Sequence, residues 1–342
     1  MDGQVSRDEV RQRATVIAEL PALLAELGVD AAEVFEGTAV TLPTLDAETR
    51  IPFGDLAKIL DRSVRLSGRP ELGLLLGRRF RLEHHGAVGE LMRTAPTLGA
   101  ALRSFVACQP GYSSGAVVYL HSQDGMTAFG NAVCSGEVRP GRTYSDLVVG
   151  IGMRMITLLT GGQAAPVEFH MSCGAPADRA PYLRILAAPV RFQEPLTCMY
   201  LPAEVLALPL PGSNAARHER LAREIAAVMA ERADPGLGTR VRGALRKLLL
   251  VGKPTMEAVA GELTLHPRTL RRRLKEDGLV FDTLRDEVRL ASALELLELT
   301  DLPVGEVAAT LSYASPEVFA EAFRRMRGCS PREWRARHAR KV

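Results

Sequence analysis

At 342 residues, with 46% hydrophobic and 24% charged side chains, the chain has the composition of a soluble globular protein and the length for two domains with sizeable cores. Its most apolar stretch, Leu147 to Leu159, is interrupted by Arg154 and is too short to span a bilayer, which argues against a membrane protein. The net charge of +3 hides an asymmetry: from Gly238 onward 20 basic residues stand against 14 acidic ones, a balance of +6, while the preceding part has 23 against 26, a balance of −3, so a polyanionic partner is expected at the carboxy-terminal third.

The start, Met-Asp-Gly, lacks a basic flank followed by an apolar core, so no signal peptide is read there. Val10 to Leu27 reads as an amphipathic helical run ended by Gly28, with Pro21 opening a second helix or kinking the first. Helical patterns continue over Ala31 to Phe35, Pro52 to Ser67, Pro70 to Arg79 and Leu98 to Cys108, so the first hundred residues are mainly helical. His84-His85 reads as a solvated loop pair.

The pattern changes after Pro110. Ala116 to His121 and Met126 to Cys134 are β-prone runs separated by Ser122-Gln123-Asp124-Gly125, which predicts a hairpin. Thr143 to Thr160 is apolar enough for a buried helix ended by Gly161-Gly162. Its Gly150-Ile151-Gly152 lacks the third glycine and the βαβ unit of a dinucleotide fingerprint, so close helix packing is expected instead. Pro166 to Cys173 alternates like a strand, Pro181 to Leu186 suggests a short helix, and Pro189 to Phe192 with Cys198 to Leu201 suggest further strands. The sum, residues 1–212, is an α+β domain built around a small sheet.

Little in this part carries catalytic chemistry. Gly111-Tyr112-Ser113-Ser114-Gly115 matches a nucleophile elbow in letters, but that elbow needs a strand before the serine and a helix after it, and here the order is reversed. The five cysteines, Cys108, Cys134, Cys173, Cys198 and Cys329, are odd in number and without paired spacing, as for reduced thiols in a cytoplasm. His170 and Cys173 with Cys198 make a poor metal set, because alternation along a strand puts the first two on opposite faces. No enzyme activity, metal or cofactor is expected. Cys108, Tyr112, Met153 and Met155 flank the small sheet and are the candidates for lining a small-molecule pocket.

Leu208 to Asn214 reads as a linker, and Ala215 to Arg232 as a charged amphipathic helix whose stripe of Leu221, Ile225 and Val228 either pairs with a second subunit or packs on its own domain. Residues 213–237 thus connect to a region, 238–342, that holds one pattern twice. Thr255 to Leu263 is a short helix, followed by a break at Thr264-Leu265-His266 and a second helix opened by Pro267; Val304 to Leu311, Ser312 to Ser315 and the run from Pro316 repeat it. Both are helix-turn-helix patterns. In the first, Leu270 and Leu274 point inward while Arg268, Arg271, Arg272 and Lys275 make a basic outer face suited to the major groove and its phosphates. Phe281 to Leu299 between them reads as one helix with Leu284, Val288, Leu294 and Leu297 on its apolar stripe. Nineteen residues span roughly 28 Å, close to the roughly 34 Å between successive major-groove segments on one face of DNA.

Leu265-His266-Pro267-Arg268-Thr269-Leu270-Arg271-Arg272-Arg273-Leu274, then Tyr313-Ala314-Ser315-Pro316 through Phe323-Arg324-Arg325, then Gly328-Cys329-Ser330-Pro331-Arg332-Glu333-Trp334-Arg335, resemble the two-motif DNA-binding domain of the AraC/XylS family over roughly residues 238 to 340. More loosely, Leu72-Gly73-Leu74-Leu75-Leu76-Gly77, Thr94 to Leu102, and Pro181-Tyr182 through Phe192 resemble the amino-terminal effector and dimerisation domain of the subgroup of ornithine-utilisation and virulence regulators. The resemblance implies an all-α carboxy-terminal domain of two helix-turn-helix motifs joined by a long helix. It further implies a cytoplasmic, ligand-responsive regulator, usually an activator, with four partners: double-stranded promoter DNA, an unknown small-molecule effector, RNA polymerase and a second copy of the chain. Arg268, Arg271 and Arg272 would meet base edges or phosphates, and Lys275, Arg324 and Arg325 mostly phosphate. The rival readings are a constitutive DNA-binding protein whose amino-terminal half only dimerises, and an enzyme fused to a DNA-binding domain.

The sequence departs from the family pattern in three respects. Thr264 and Ser312 stand where glycine is usual, so a left-handed backbone there would cost roughly 1–2 kcal/mol. His266 stands where a Ser or Thr cap is common, and a missing cap typically costs about 1 kcal/mol. The second recognition helix presents Glu317 and Glu321, carboxylates that repel phosphate but can accept from a cytosine amino group. The first motif is therefore expected to dominate affinity.

Overall fold

The computed structural model describes residues 11–41, 45, 49–109, 113, 116–133, 141–231, 236–249 and 254–338. The amino-terminal run is not one helix. Arg11–Arg13 forms a strand, β1, paired antiparallel with β2 (Arg50–Pro52), a 3-10 turn follows at Ala14–Ile17, and α1 begins only at Leu20 (Leu20–Glu26). Pro21 explains the late start: it has no N–H to donate and fits only the first turn of a helix. After α2 (Ala31–Phe35) come α3 (Phe53–Ser67), α4 (Leu72–Gly77), α5 (Gly86–Arg93) and α6 (Leu98–Cys108), as the apolar spacing predicts for all but α5, which it does not mark.

The hairpin is present as β3 (Ala116–Gln123) and β4 (Met126–Val133), in register from Ala116 opposite Val133 to Gln123 opposite Met126. Its two-residue turn places Asp124 at φ +50° and Gly125 at φ +77°, the left-handed pair that matches the twist of a hairpin. Helix α7 (Arg142–Thr160) follows, ended by Gly161 at φ +61°. Then β5 (Glu168–Met171), α8 (Ala180–Leu186), β6 (Val190–Phe192) and β7 (Thr197–Pro202) complete a five-stranded sheet ordered β3-β4-β7-β5-β6, with only the β5–β6 pair parallel.

Alternation splits this sheet into two faces. Val118, Phe129, Phe169, Met171, Met199 and Leu201 join α3, α4, α6 and α7 in the main core. Tyr119, Ala132 and Cys198 form a smaller cluster with Val117, Ala128 and Tyr200 on the other side. Gly130 makes the second face possible, since a Cβ there would lie 2.4 Å from the Tyr119 ring. The glycines of α7 do the packing expected of them: a Cβ on Gly77 would come within 2.7 Å of the Gly150 Cα, so α4 and α7 cross backbone to backbone.

His85 is a correction. It is 5% exposed, not solvated; its ring stacks on Phe105 at 5.5 Å and meets Phe80 edge-on at 5.0 Å. Desolvation by this burial, with the neighbouring His84 and Arg13 charges, depresses its pKa to about 3.

Helix α9 (Ala215–Glu231) lies on α5, with Arg217 2.7 Å from Glu90 and the His218 imidazole 2.9 Å from the Leu91 carbonyl. Leu221 and Ile225 pack on the main core, whereas Val228 is 46% exposed. From α10 (Gly236–Leu249) on, the described residues are helical: α11 (Met256–Glu262), α12 (Pro267–Glu276), α13 (Phe281–Leu299), α14 (Val304–Thr310), α15 (Pro316–Arg327) and α16 (Pro331–His338). They enclose two small cores, and α13 serves both. Its first half gives Phe281, Leu284 and Val288 to a core with Val241, Leu270 and Leu274; its second half gives Leu294 and Leu297 to one with Val307, Phe319 and Phe323.

Candidate nucleic-acid interface and internal cavity

Two helix-turn-helix units hang from α13. In the first, the Thr255 hydroxyl caps α11 by accepting from the Ala258 N–H at 3.2 Å, and the turn closes where the Leu265 N–H donates to the Ala260 carbonyl at 2.8 Å. Thr264 takes φ +54° to make that turn, the left-handed backbone anticipated for a residue standing in for glycine. The cap of α12 is not missing: His266 Nδ1 accepts from the Arg268 N–H at 3.2 Å, an imidazole doing what a hydroxyl usually does. With Leu270 and Leu274 buried beneath, positions 268, 271, 272 and 275 share the outer stripe of α12, and Arg268, Arg271, Arg272 and Lys275 are all exposed. Among the described residues Arg272 pairs loosely with Glu276 at i+4 and 3.4 Å, an exposed ion pair of the kind that contributes little.

The second unit repeats the backbone with other side chains. Ser312 sits at φ +57°, the Tyr313 N–H donates to Ala308 at 3.0 Å, and the Ser315 hydroxyl caps α15 from the Val318 N–H at 3.4 Å. Arg289 on α13 pins this turn, donating to the Ser312 carbonyl at 2.8 Å with its guanidinium 4.7 Å from the Tyr313 ring centre. Phe319 and Phe323 face inward, while Glu317, Glu321, Arg324 and Arg325 are exposed. A hydrogen bond from the Ser315 hydroxyl holds the Glu317 carboxyl below its ordinary range. Arg325 leans toward Asp286 at 3.5 Å. Behind this unit the Ser330 and Glu333 side chains cap each other's N–H groups at 3.2 and 2.7 Å, a capping box that seats Trp334 against Phe323 and lets its indole donate to Glu298 at 2.9 Å.

The other feature is a cavity of about 70 Å³ between the core face of the sheet, α6, α7 and β1. Its wall is apolar at Val118, Phe129, Leu147, Ile151 and Met155 and polar at Gln12, His85, Gln109, Asn131 and Thr197. Of the sequence-chosen pocket residues, Met155 lies in this wall. Cys108 is buried in the main core outside it, its thiol pKa raised by burial; Met153 is half-buried against the same core; Tyr112 is outside the described residues.

A polar chain joins the cavity to α13. The Thr197 hydroxyl, in the wall, is 2.8 Å from the Ser172 hydroxyl, which donates to Glu295 Oε1 at 3.3 Å. Glu295 Oε2 accepts from Arg246 of α10 at 2.8 Å, and Arg246 also donates to Ser292. Helix α10 lies against β3 on the outer face of the sheet. Sequence reasoning missed Arg246, Glu295 and Arg289, which give no local signal beyond a charged residue on a helix.

Comparison with known proteins adds the lineage of each part. Residues 28–210 match the arabinose-binding domain of AraC transcription regulator, N-term, and residues 259–337 match a helix-turn-helix domain. The ornithine utilization regulator of Pseudomonas aeruginosa is 28% identical over 319 residues, covering 92% of this chain and 93% of the relative. The transcriptional regulator VirS of Mycobacterium tuberculosis is 29% identical over 82% of each chain. Among solved structures, the transcriptional regulator CdpR of P. aeruginosa covers 80% of this chain and 89% of its own at 22% identity, with a TM-score of 0.40.

Proposed function

The chain belongs to the AraC family of transcription regulators, and from that premise we propose that it is a ligand-responsive, sequence-specific DNA-binding protein that activates transcription. In this reading residues 1–212 bind a small effector and dimerise, 213–237 connect, and 238–342 grip double-stranded promoter DNA and present the protein to RNA polymerase in the cytoplasm. No enzymatic activity is proposed.

The observation that carries the reading is the outer stripe of α12, where four cations face solvent on a helix fixed from below by Leu270 and Leu274. Arg268, Arg271 and Arg272 are assigned to base edges or phosphates and Lys275 to phosphate. On α15, Arg324 and Arg325 are assigned to phosphate, while Glu317 and Glu321 accept from cytosine amino groups where they meet bases at all. Effector occupancy reaches α13 through Thr197, Ser172, Glu295 and Arg246, a coupling of the usual size of about 1–3 kcal/mol.

The test compares promoter affinity of Arg271→Ala and Glu321→Ala in the full chain. Loss of a base-contacting arginine typically costs about 1–3 kcal/mol, so Arg271→Ala is expected to weaken binding tenfold or more. Glu321→Ala is expected to stay within threefold of the parent or to bind more tightly. Comparable losses from both would refute the division of labour.

A further inference from the structure

We propose that the cavity behind β3, β4 and β7 is the effector site and that it takes a small uncharged molecule with an apolar body and a hydrogen-bonding end. The proposal rests on the regulator reading above and adds the site and the ligand's chemistry.

The wall sets the chemistry. Among the described residues lining it there is no Asp, Glu, Lys or Arg. A charged ligand would meet no counter-ion among these residues, and burying an unpaired charge beside apolar side chains is strongly unfavourable. His85 supplies no cation either, because burial among Phe80 and Phe105 keeps its imidazole neutral at physiological pH. Arg13, whose charge also acts on His85, lies outside the wall.

Three side-chain amides supply the polar end. Gln12 and Gln109 are 6% and 9% exposed, and neither they nor Asn131 make a side-chain hydrogen bond to a described residue. Asn131 is half-buried, and none of the three amides is held by another described residue, so each can bond to what occupies the cavity. An amide offers donor and acceptor together, a match for an amide, alcohol, ketone or phenol. Val118, Phe129, Leu147 and Met155 provide the apolar enclosure for the rest. At about 70 Å³ the space suits a molecule of a few heavy atoms and not a long acyl chain. The Thr197 hydroxyl in the same wall is already bonded to Ser172, so a ligand pressing on β7 acts on the chain that leads to Glu295.

The test is the thermal unfolding midpoint of the full chain with two matched sets of probes: propionamide, propionate and propylamine, and butyramide, butyrate and butylamine. Members of a set share size and differ in charge. At least one amide is expected to raise the midpoint saturably by about 2–6 °C, with its charged counterparts shifting it by less than about 1 °C. The double variant Gln12→Leu/Gln109→Leu is expected to lose the amide response. If that variant does not fold, the ranking of the wild-type responses decides alone. An equal response to charged and neutral members, no response to any probe, or an undiminished response in the folded double variant overturns the proposal. Promoter binding is measured on the same protein without probes: selective DNA binding with no amide response rejects this site and leaves the regulator standing, while an amide response without selective DNA binding rejects the regulator.

Discussion

Arg246→Met alone removes the cation from the polar chain between the cavity and α13. The Arg246 side chain is 5% exposed and Glu295 15%, with N and O 2.8 Å apart. Charge centres about 4 Å apart attract by about 4 kcal/mol at an effective dielectric constant near 20, and part of this offsets the cost of drying both groups. Once the guanidinium is gone Glu295 keeps its desolvation without its partner, and the expected loss is about 3 kcal/mol. Glu295→Leu strands Arg246 and costs a similar amount. The double variant Arg246→Met/Glu295→Leu removes both charges and fills the space, so it is expected within about 1 kcal/mol of the parent. The assay is urea unfolding followed by the emission of Trp334, the single tryptophan, which packs in the second carboxy-terminal core. Additive losses, with the double variant near 6 kcal/mol below the parent, would refute the claim that the two groups act as a buried pair.

The left-handed turns lead to a second prediction. Thr264→Gly relieves a backbone at φ +54° and is expected to raise stability by about 0.5–1 kcal/mol, net of the extra freedom glycine brings to the unfolded chain; Thr264→Val is expected to lower it, and a loss in the glycine variant's urea midpoint would contradict this. A third concerns pH. His85 drops from 6.5 to about 3 on folding, so its contribution is present above pH 6.5 and is lost as pH falls toward 3. Asp146, whose carboxyl burial pushes up from 3.8 to about 7 despite the Tyr182 hydroxyl bonded to it at 2.6 Å, contributes stability below pH 3.8 that is lost as pH rises toward 7. Between about pH 4 and 6.5 the two slopes oppose each other. Asp146→Asn is therefore expected to unmask the histidine, making stability fall by up to about 1.4 kcal/mol per unit of acidification across that window relative to the parent; parallel pH profiles would count against it.

The carboxy-terminal third was legible because its signals are local. Pro267 and Pro316 mark helix starts, and the stripe of Leu284, Val288, Leu294 and Leu297, all four buried as read, defines the connecting helix. Even there the cap expected to be missing at His266 is present, supplied by imidazole, a rare capping group. In the amino-terminal half the missed features depend on distant pairings. Arg11–Arg13 becomes a strand only because Arg50–Pro52 lies beside it, and His85 is buried only because Phe80 and Phe105 close over it. The cavity draws on β1, α6, β3, β4, α7 and β7, and Ser172 and Glu295 are 123 residues apart. No window of sequence contains such a site.

The most direct measurement is fluorescence anisotropy of the full chain on duplexes from its own promoter region and on unrelated duplexes of equal length, titrated across salt. The account predicts tighter binding to at least one promoter duplex and a steep fall in affinity with salt, as phosphates bound by Arg268, Arg271, Arg272 and Lys275 release their counterions. Equal affinity for all duplexes, or a grip indifferent to salt, would contradict it.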